Sequence, residues 1–155
     1  MTIASRNNIT GPQGNLNGVA AAISDLAVEY GQANDASTQT INSTSYADLT
    51  SMTTTKTTET GDIVFLMFTC SHKQSAAGDE YTYNLLRDGA SIHTKSVCSG
   101  SSSGTSYGEC FAMQYIDAPS AGAHIYKVQC KRITGAGSAD VRERALTGLI
   151  LQTDS

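Results

Sequence analysis

Short segments with a two-residue alternation of apolar and polar side chains most constrain what this chain of 155 residues can fold into. The alternation begins at Ala36, and the segments Thr38–Thr44 and Tyr46–Thr58 are rich in threonine, which favours strands over helices. Asp88-Gly89 lies between two further segments and predicts a two-residue hairpin turn, because a type I′ turn needs positive φ at both central positions. Roughly eight strands at this spacing, without the helices that parallel strands need as crossovers, predict an all-β antiparallel β-sandwich.

The other predicted strands follow from the same alternation and from the turn residues between them. Gly61-Asp62 marks a turn before the apolar run Ile63–Cys70, which predicts a strand buried on both faces. Pro119 presets the backbone of a further turn, because its ring fixes φ. The remaining predicted strands are Tyr81–Arg87, Ser91–Val97, Tyr107–Ile116, Ile125–Ile133 and Arg144–Gln152.

The first 35 residues have a different pattern. The segment Asn15–Tyr30 predicts a short helix, with Asn15 or Asn17 as its N-cap and Gly31 as its stop. Two interpretations are open: the helix packs against its own domain, or it forms an assembly arm on a symmetry axis or a neighbouring subunit. We therefore predict an N-terminal arm over residues 1–35 and a sandwich over residues 36–155. The apolar residues of the helix, three or four apart, are Leu16, Val19, Ile23, Leu26 and Tyr30.

Composition and charge narrow the function classes. Lys and Arg number 10 against 14 Asp and Glu, and this net charge of −4 without a basic stripe argues against nucleic acid as the main partner. Only 15% of the residues are charged, against about 25% in typical domains, which indicates that other chains cover part of the surface. No basic segment leads into an apolar stretch at the start, and the longest apolar run, Ile63–Phe68, is far too short to span a bilayer. We expect a chain made in a cytoplasm that does not contact a membrane.

Catalytic and metal-binding patterns are weak. Gly100–Gly104 fits the spacing G-x-S-x-G, but it lies in a Ser/Gly loop rather than between a strand and a helix. His72, His93 and His124 are isolated in the sequence, and the pair Asp79-Glu80 is typical of a solvated strand edge. We therefore predict that the chain is not an enzyme and holds no metal and no cofactor.

The chain has four cysteines and no Cys-x-x-Cys pair. The alternating strand directions of the predicted sandwich place all four at one end. Cys98 and Cys110 bracket an 11-residue loop, and a disulfide between them would stabilise the fold by about 2–3 kcal/mol. Four reduced thiols or a four-thiolate zinc site are the alternatives.

Four motifs, in this order and spacing, resemble the TNF/C1q-like jelly rolls of tailed-phage virions. The most specific is the turn Asp117-x-Pro-x-x-Gly122 with the tyrosine-containing strand that follows it. The resemblance covers about residues 36–153 and leaves the arm outside. The motifs are Gly61-Asp-Ile-Val-Phe-Leu, Tyr83-Asn-Leu-Leu-Arg-Asp-Gly, Tyr115-Ile-Asp-Ala-Pro-Ser-Ala-Gly-Ala-His-Ile-Tyr-Lys-Val-Gln and Leu146-Thr-Gly-Leu-Ile-Leu.

The resemblance implies a structural role. Proteins of this type serve as capsid decoration (cement) proteins, head fibres and fibre tips, generally as trimers. We expect a homotrimer on the outside of a virion that binds the major capsid protein and stabilises the shell, with the five apolar arm residues as trimer or capsid contacts. The alternative is a fibre tip that binds a receptor or a surface glycan through Tyr81, Tyr83 and Tyr107. A two-residue period cannot tell which sheet faces a subunit.

Overall fold

In the computed structural model the described residues are 29–98 and 109–151, and all nine elements in these ranges are β-strands. This result confirms the predicted all-β class. The strands are β1 (Glu29–Asp35), β2 (Gln39–Ile41), β3 (Ala47–Thr58), β4 (Ile63–Gln74), β5 (Glu80–Arg87), β6 (Ala90–Cys98), β7 (Glu109–Asp117), β8 (Gly122–Thr134) and β9 (Ala139–Leu151).

The strands form two antiparallel sheets. Sheet A has the order β1-β9-β4-β7, with the short β2 also paired to β9, and sheet B has the order β3-β8-β5-β6. Only β5 and β6 are both consecutive in sequence and paired, so most connections cross from one sheet to the other, as in a jelly roll. The β5–β6 hairpin has the predicted turn, because φ is 52° at Asp88 and 83° at Gly89.

The core lies between the sheets and is built from alternate residues of the strands. In β4 the buried residues Val64, Leu66 and Phe68 alternate with residues that point to solvent. Aromatic rings fill the middle: the ring centroid of Tyr83 lies 4.2 Å from Phe111 and 5.5 Å from Phe68. The two sheets are therefore joined by one continuous apolar layer.

Two glycines make room in this core for a lysine. Gly31 of β1 and Gly148 of β9 are paired across sheet A, and Lys56 of β3 lies buried against them. A Cβ atom would lie 2.6 Å from the Lys56 Nζ if placed on Gly31 and 3.0 Å from its Cε if placed on Gly148. The missing side chains thus admit the aliphatic stem of Lys56 between the sheets.

The structure corrects the predicted boundary of the arm. Residues 29–35 form β1, whose Tyr30 and Gly31 are paired with Leu149 and Gly148 of β9, so the sandwich begins at least seven residues earlier than predicted. Tyr30 is therefore in a strand rather than at the end of a helix. Gly31 provides space for Lys56 instead of stopping a helix. The other arm residues, Leu16, Val19, Ile23 and Leu26, lie outside the described residues.

The sandwich has two ends, the arm end and the cysteine end. At the arm end β1, β4, β6 and β8 begin and β3, β5, β7 and β9 finish, as the Cα pairs Glu29 with Ile150, Ile63 with Leu151 and Thr58 with Gly122 require. The opposite end contains all four cysteines, as the strand directions predicted, and is called the cysteine end.

Candidate interaction site

The solvent-facing side of sheet A is apolar near the arm end. On β4, Phe65 stands between Leu149 of β9 and Ile116 of β7, and Ile63 is paired with Leu151. Ile116 is 61% exposed and Met67 is 38% exposed. Large apolar side chains on three neighbouring strands thus form one continuous surface. This surface is called the apolar face, and its members are Ile63, Phe65, Met67, Ile116, Leu149 and Leu151.

The solvent-facing side of sheet B has the opposite character. Asp48 of β3 accepts hydrogen bonds of 2.8 Å from Lys127 Nζ and from Gln129 Nε2, both on β8. Two isoleucines of β8 are exposed, Ile125 by 49% and Ile133 by 43%, and eight positions separate them. The rest of this side carries mainly hydroxyl, amide and charged groups, among them Thr53, Thr55, Thr57, Thr94, Ser96 and Lys131. Apolar residues that are neighbours on three strands are therefore a feature of sheet A, whereas the exposed isoleucines of sheet B lie far apart.

One sequence feature, the apolar run of β4, indicated that this strand has apolar residues on both sides but did not locate the apolar face. The run Ile63–Cys70 predicted a strand buried on both faces, but in the single chain only one side of β4 is buried. Phe65 remains half-buried and Met67 exposed, because no further layer of the chain packs over them in the described residues. A strand with apolar residues on both sides is typical of one whose outer side is covered by another subunit.

Beneath the apolar face, a buried carboxylate ties the two sheets together. Nη1 of Arg87 donates to both oxygens of Asp117, at 2.8 and 2.9 Å, and the Tyr126 hydroxyl donates to the same carboxylate at 2.7 Å. Asp117 ends β7 in sheet A, whereas Arg87 and Tyr126 belong to sheet B. Burial and the bond to Asp117 raise the pKa of Tyr126, so the hydroxyl stays a donor. The carboxylate thus fixes Ile116, the residue before it, to the opposite sheet.

His124 ties the two neighbouring turns to the same end. Its Nδ1 lies 2.7 Å from Asp88 Oδ2, and its Nε2 lies 2.8 Å from the carbonyl oxygen of Ser120. Both partners are acceptors, so both contacts are hydrogen bonds when the imidazole carries two protons. The hydrogen bond to Asp88 raises the pKa of His124 and lowers that of Asp88. The motifs Arg87-Asp88 and Asp117–Tyr126, quoted for the resemblance, therefore meet in one network.

A second polar cluster is buried near the cysteine end. The Tyr83 hydroxyl lies 2.6 Å from His72 Nδ1 and accepts a hydrogen bond from the Cys70 thiol at 3.5 Å. Burial lowers the pKa of His72 to about 4, so the ring is neutral at pH 7 and shares a hydrogen bond with the Tyr83 hydroxyl. Burial also raises the pKa of Cys70 and of Cys130 to about 12, which keeps both as thiols.

The outer two cysteines lie on neighbouring edges of the sandwich. Cys98 ends β6, an edge strand of sheet B, and Cys110 lies in β7, an edge strand of sheet A. Both cysteines are exposed. The proposed Cys98–Cys110 disulfide stays a prediction. Cys70 and Cys130 are buried in the core, which agrees with the interpretation of cysteine as a small apolar residue.

The structure corrects the predicted exposure of Asp79, Tyr81 and Tyr83. Asp79, predicted at a solvated edge, is 2% exposed, because the loop with Gly135 and Gly137 closes over its carboxylate. Tyr81 and Tyr83, the expected glycan contacts, are fully buried in the core. These two tyrosines lie on β5 and face the core between the sheets, where Tyr83 packs against Phe68 and Phe111. Tyr107 and the Gly100–Gly104 loop lie outside the described residues.

No group of three or more His, Cys, Asp or Glu side chains within residues 29–98 and 109–151 has the arrangement of a metal site. In the same ranges there is no helix long and apolar enough to cross a membrane.

Comparison with known proteins gives the fold and no more. No family model and no curated protein matches the chain. Eiger TNF from S. frugiperda matches 83% of this chain and 94% of its own, with a TM-score of 0.50 and 12% identity. Dimeric latent PorU from Porphyromonas gingivalis matches 79% of this chain and 13% of its own (TM-score 0.45, 12% identity). The protein of infectious bursal disease virus Gx strain matches 83% of this chain and 36% of its own (TM-score 0.40, 11% identity). The first likeness shows a TNF-like antiparallel β-sandwich.

Proposed function

We propose that this chain is a non-enzymatic structural protein of a tailed-phage virion, a homotrimeric decoration (cement) protein that binds the outside of the capsid and stabilises it. The apolar face is the observation that carries the proposal. No other segment of the described residues covers this surface, whereas the outside of sheet B is mainly polar.

The energetics favour covering the apolar face. Complete burial of an isoleucine side chain is worth about 1.5–3 kcal/mol, so covering the 61% of Ile116 that is exposed contributes about 1–2 kcal/mol. The face has five more large apolar members, of which Met67 and Leu151 are 38% exposed, and their burial adds to this gain against the loss of rotational and translational freedom on association. The network of Asp117 under the face holds it in place before association.

Closure into a ring explains a trimer better than an open chain of subunits. A cyclic ring joins the apolar face of each copy to a different patch of the next copy until the ring closes. The resemblance to TNF/C1q-like virion proteins supports three copies. Three jelly rolls joined in this way form a rigid body that spans the seam between capsid subunits, and its buried area opposes their separation.

The test combines the mass of the protein in solution with binding to purified capsids that lack it. Three copies of a 16.3 kDa chain give a particle of about 49 kDa, and this particle should co-sediment with the capsids and raise the temperature at which they open. A trimer that ignores capsids but binds cells or glycans would replace the proposal with the fibre-tip alternative. A monomer that binds neither would refute both.

A further inference from the structure

We infer that His124 is a pH-sensitive switch for the β7–β8 loop (residues 118–121) at the arm end. When its ring carries two protons it holds the loop to the sandwich, and when it carries one it releases the loop. The switch lies within a single chain and operates whatever the chain assembles with.

The two ring nitrogens of His124 face acceptors from two different connections. Nδ1 lies 2.7 Å from Oδ2 of Asp88 in the β5–β6 turn, and Nε2 lies 2.8 Å from the carbonyl oxygen of Ser120 in the β7–β8 loop. An ionised carboxylate and a carbonyl oxygen can only accept, so each contact is a hydrogen bond only when the ring nitrogen carries a proton. The doubly protonated ring therefore holds both connections, whereas the neutral ring holds one.

Loss of one proton removes the contact with the loop rather than the contact with the turn. A hydrogen bond to an ionised acceptor is about twice as strong as one between neutral groups, so the remaining proton stays on Nδ1 beside Asp88. Asp88 Oδ1 also accepts the backbone N–H of Ile125 at 2.8 Å, which keeps the carboxylate in place. Nε2 then directs a lone pair at the Ser120 carbonyl oxygen, and two acceptors at 2.8 Å repel each other.

The released loop keeps few other attachments. Thr58 Oγ1 donates to the Ser120 carbonyl oxygen at 2.8 Å and lies 3.3 Å from that of Gly122. Ser120 and Ala121 are exposed, whereas Pro119 is buried. We therefore expect the motion to be confined to Ser120 and Ala121, with Pro119 staying packed in place.

The charges around His124 place the switch above the pH at which histidine ordinarily titrates. The hydrogen bonds to Asp88 and to the Ser120 carbonyl raise the pKa of His124, and burial and the charge of Arg87 act in the opposite direction. Arg87 is itself paired with Asp117 at 2.8 Å. Asp88 is 46% exposed, so solvent can reach the pair and exchange the proton. The other titratable groups of the elements beside the ring are Lys56, which is its Cα partner, Glu59, Asp62 and Tyr126.

The experiment follows the motion of both connections by NMR between pH 5 and 9. Backbone ¹⁵N relaxation is measured on the full chain, and the titration of the His124 ring is recorded on the same samples. In the parent, the order parameters of Ser120 and Ala121 should fall from about 0.85 to below about 0.6 as the ring loses its proton. Gly89 in the hairpin turn should stay near 0.85 throughout.

Two variants separate the switch from a general loosening of the fold. Asp88→Asn keeps a residue type that tolerates the positive φ of 52° and supplies an amide N–H that can donate to Nδ1 of the neutral ring. The ring then keeps its proton on Nε2, so the loop of this variant should stay ordered at every pH. His124→Gln cannot titrate in this range, so the motion of its loop should not change with pH.

A parent loop that stays ordered while the His124 ring titrates would overturn the inference. Release of the hairpin turn in place of the loop would also overturn it, because the remaining proton would then be on Nε2. The same pH-dependent release in Asp88→Asn or in His124→Gln as in the parent would show that another group controls the loop.

Discussion

Lowering the pH from 7.5 to 5 is expected to weaken the fold through one buried side chain, His72. The ring is 1% exposed, its Nδ1 lies 2.6 Å from the Tyr83 hydroxyl, and burial lowers its pKa in the folded protein to about 4. In the unfolded chain the pKa is about 6.5. The unfolded state therefore takes up a proton as the pH falls below 6.5, whereas the folded state does so only near pH 4. Stability is full above pH 6.5 and is lost progressively between pH 6.5 and 4.

The size of the loss follows from these two values. At pH 5 the pH lies about 1.5 units below the pKa of His72 in the unfolded chain and is still above its pKa in the folded protein. Protonation of the unfolded chain therefore lowers the free energy of unfolding by about 2 kcal/mol. This is a large share of the stability of a single domain, which is typically about 5–15 kcal/mol.

The assay is urea unfolding of the parent and of His72→Asn at pH 7.5, 6 and 5. The Asn amide oxygen keeps an acceptor for the Tyr83 hydroxyl but cannot take up a proton. Between pH 7.5 and 5 the parent should lose about 2 kcal/mol more than this variant. His124→Gln is a control of opposite sign. The raised pKa of His124 means that its protonation favours the folded state as the pH falls. The His124→Gln variant should therefore lose more stability between pH 7.5 and 5 than the parent does. Equal losses in the parent and His72→Asn would refute the reasoning.

Three further perturbations test other buried polar groups. Asp117→Ala should lower the free energy of unfolding by about 3 kcal/mol, and Asp48→Ala, at an exposed ion pair, by less than about 1 kcal/mol; equal losses in urea titrations would contradict this. Gly148→Val should lower the free energy of unfolding by about 1–3 kcal/mol, because the valine side chain would crowd Lys56. Adding Lys56→Ala to this variant should restore about half of the lost free energy. Losses that simply add in the double variant would show that the two side chains do not compete for space. In NMR titrations the His124 ring should have its midpoint above pH 6.5, and its contribution to stability should vanish as the pH rises through that midpoint; a midpoint at or below 6.5 would be the wrong sign.

Much of the fold could be predicted because strand signals in this chain are local. Period-two alternation identified the strands from Thr38 onward but not β1, and Asp88-Gly89 identified the hairpin through the two positive φ angles that it requires. Strand direction alone placed the four cysteines at one end. These inferences need only neighbours in sequence and the rule that adjacent elements reverse direction.

The rest depends on contacts between residues far apart in sequence. Gly31 had the position of a helix stop, and only its pairing with Gly148 shows that it admits Lys56. Asp79 had the composition of a solvated edge, and only the loop containing Gly137 buries it. Local patterns carry no information on which distant segment packs over a residue.

The apolar face was missed for a related reason. An apolar run predicts burial on both sides of a strand, but it does not say whether the second cover comes from the same chain or from another. The sequence around Phe65 and Met67 is the same whether the cover comes from this chain or from another subunit. The sheet pairing resolves the question, because Leu149 and Ile116 lie beside Phe65 on the outside of sheet A.

The solution mass of two matched variants tests the central claim, that the apolar face joins subunits. Ile116→Lys places a charge on the apolar face, and Ile125→Lys places the same charge at a similarly exposed isoleucine on the outside of sheet B. Sedimentation at micromolar concentration should give about 49 kDa, three times 16.3 kDa, for the parent and for Ile125→Lys, and the monomer mass for Ile116→Lys. A parent that sediments as a monomer, or an Ile116→Lys variant that stays trimeric while Ile125→Lys dissociates, would contradict it.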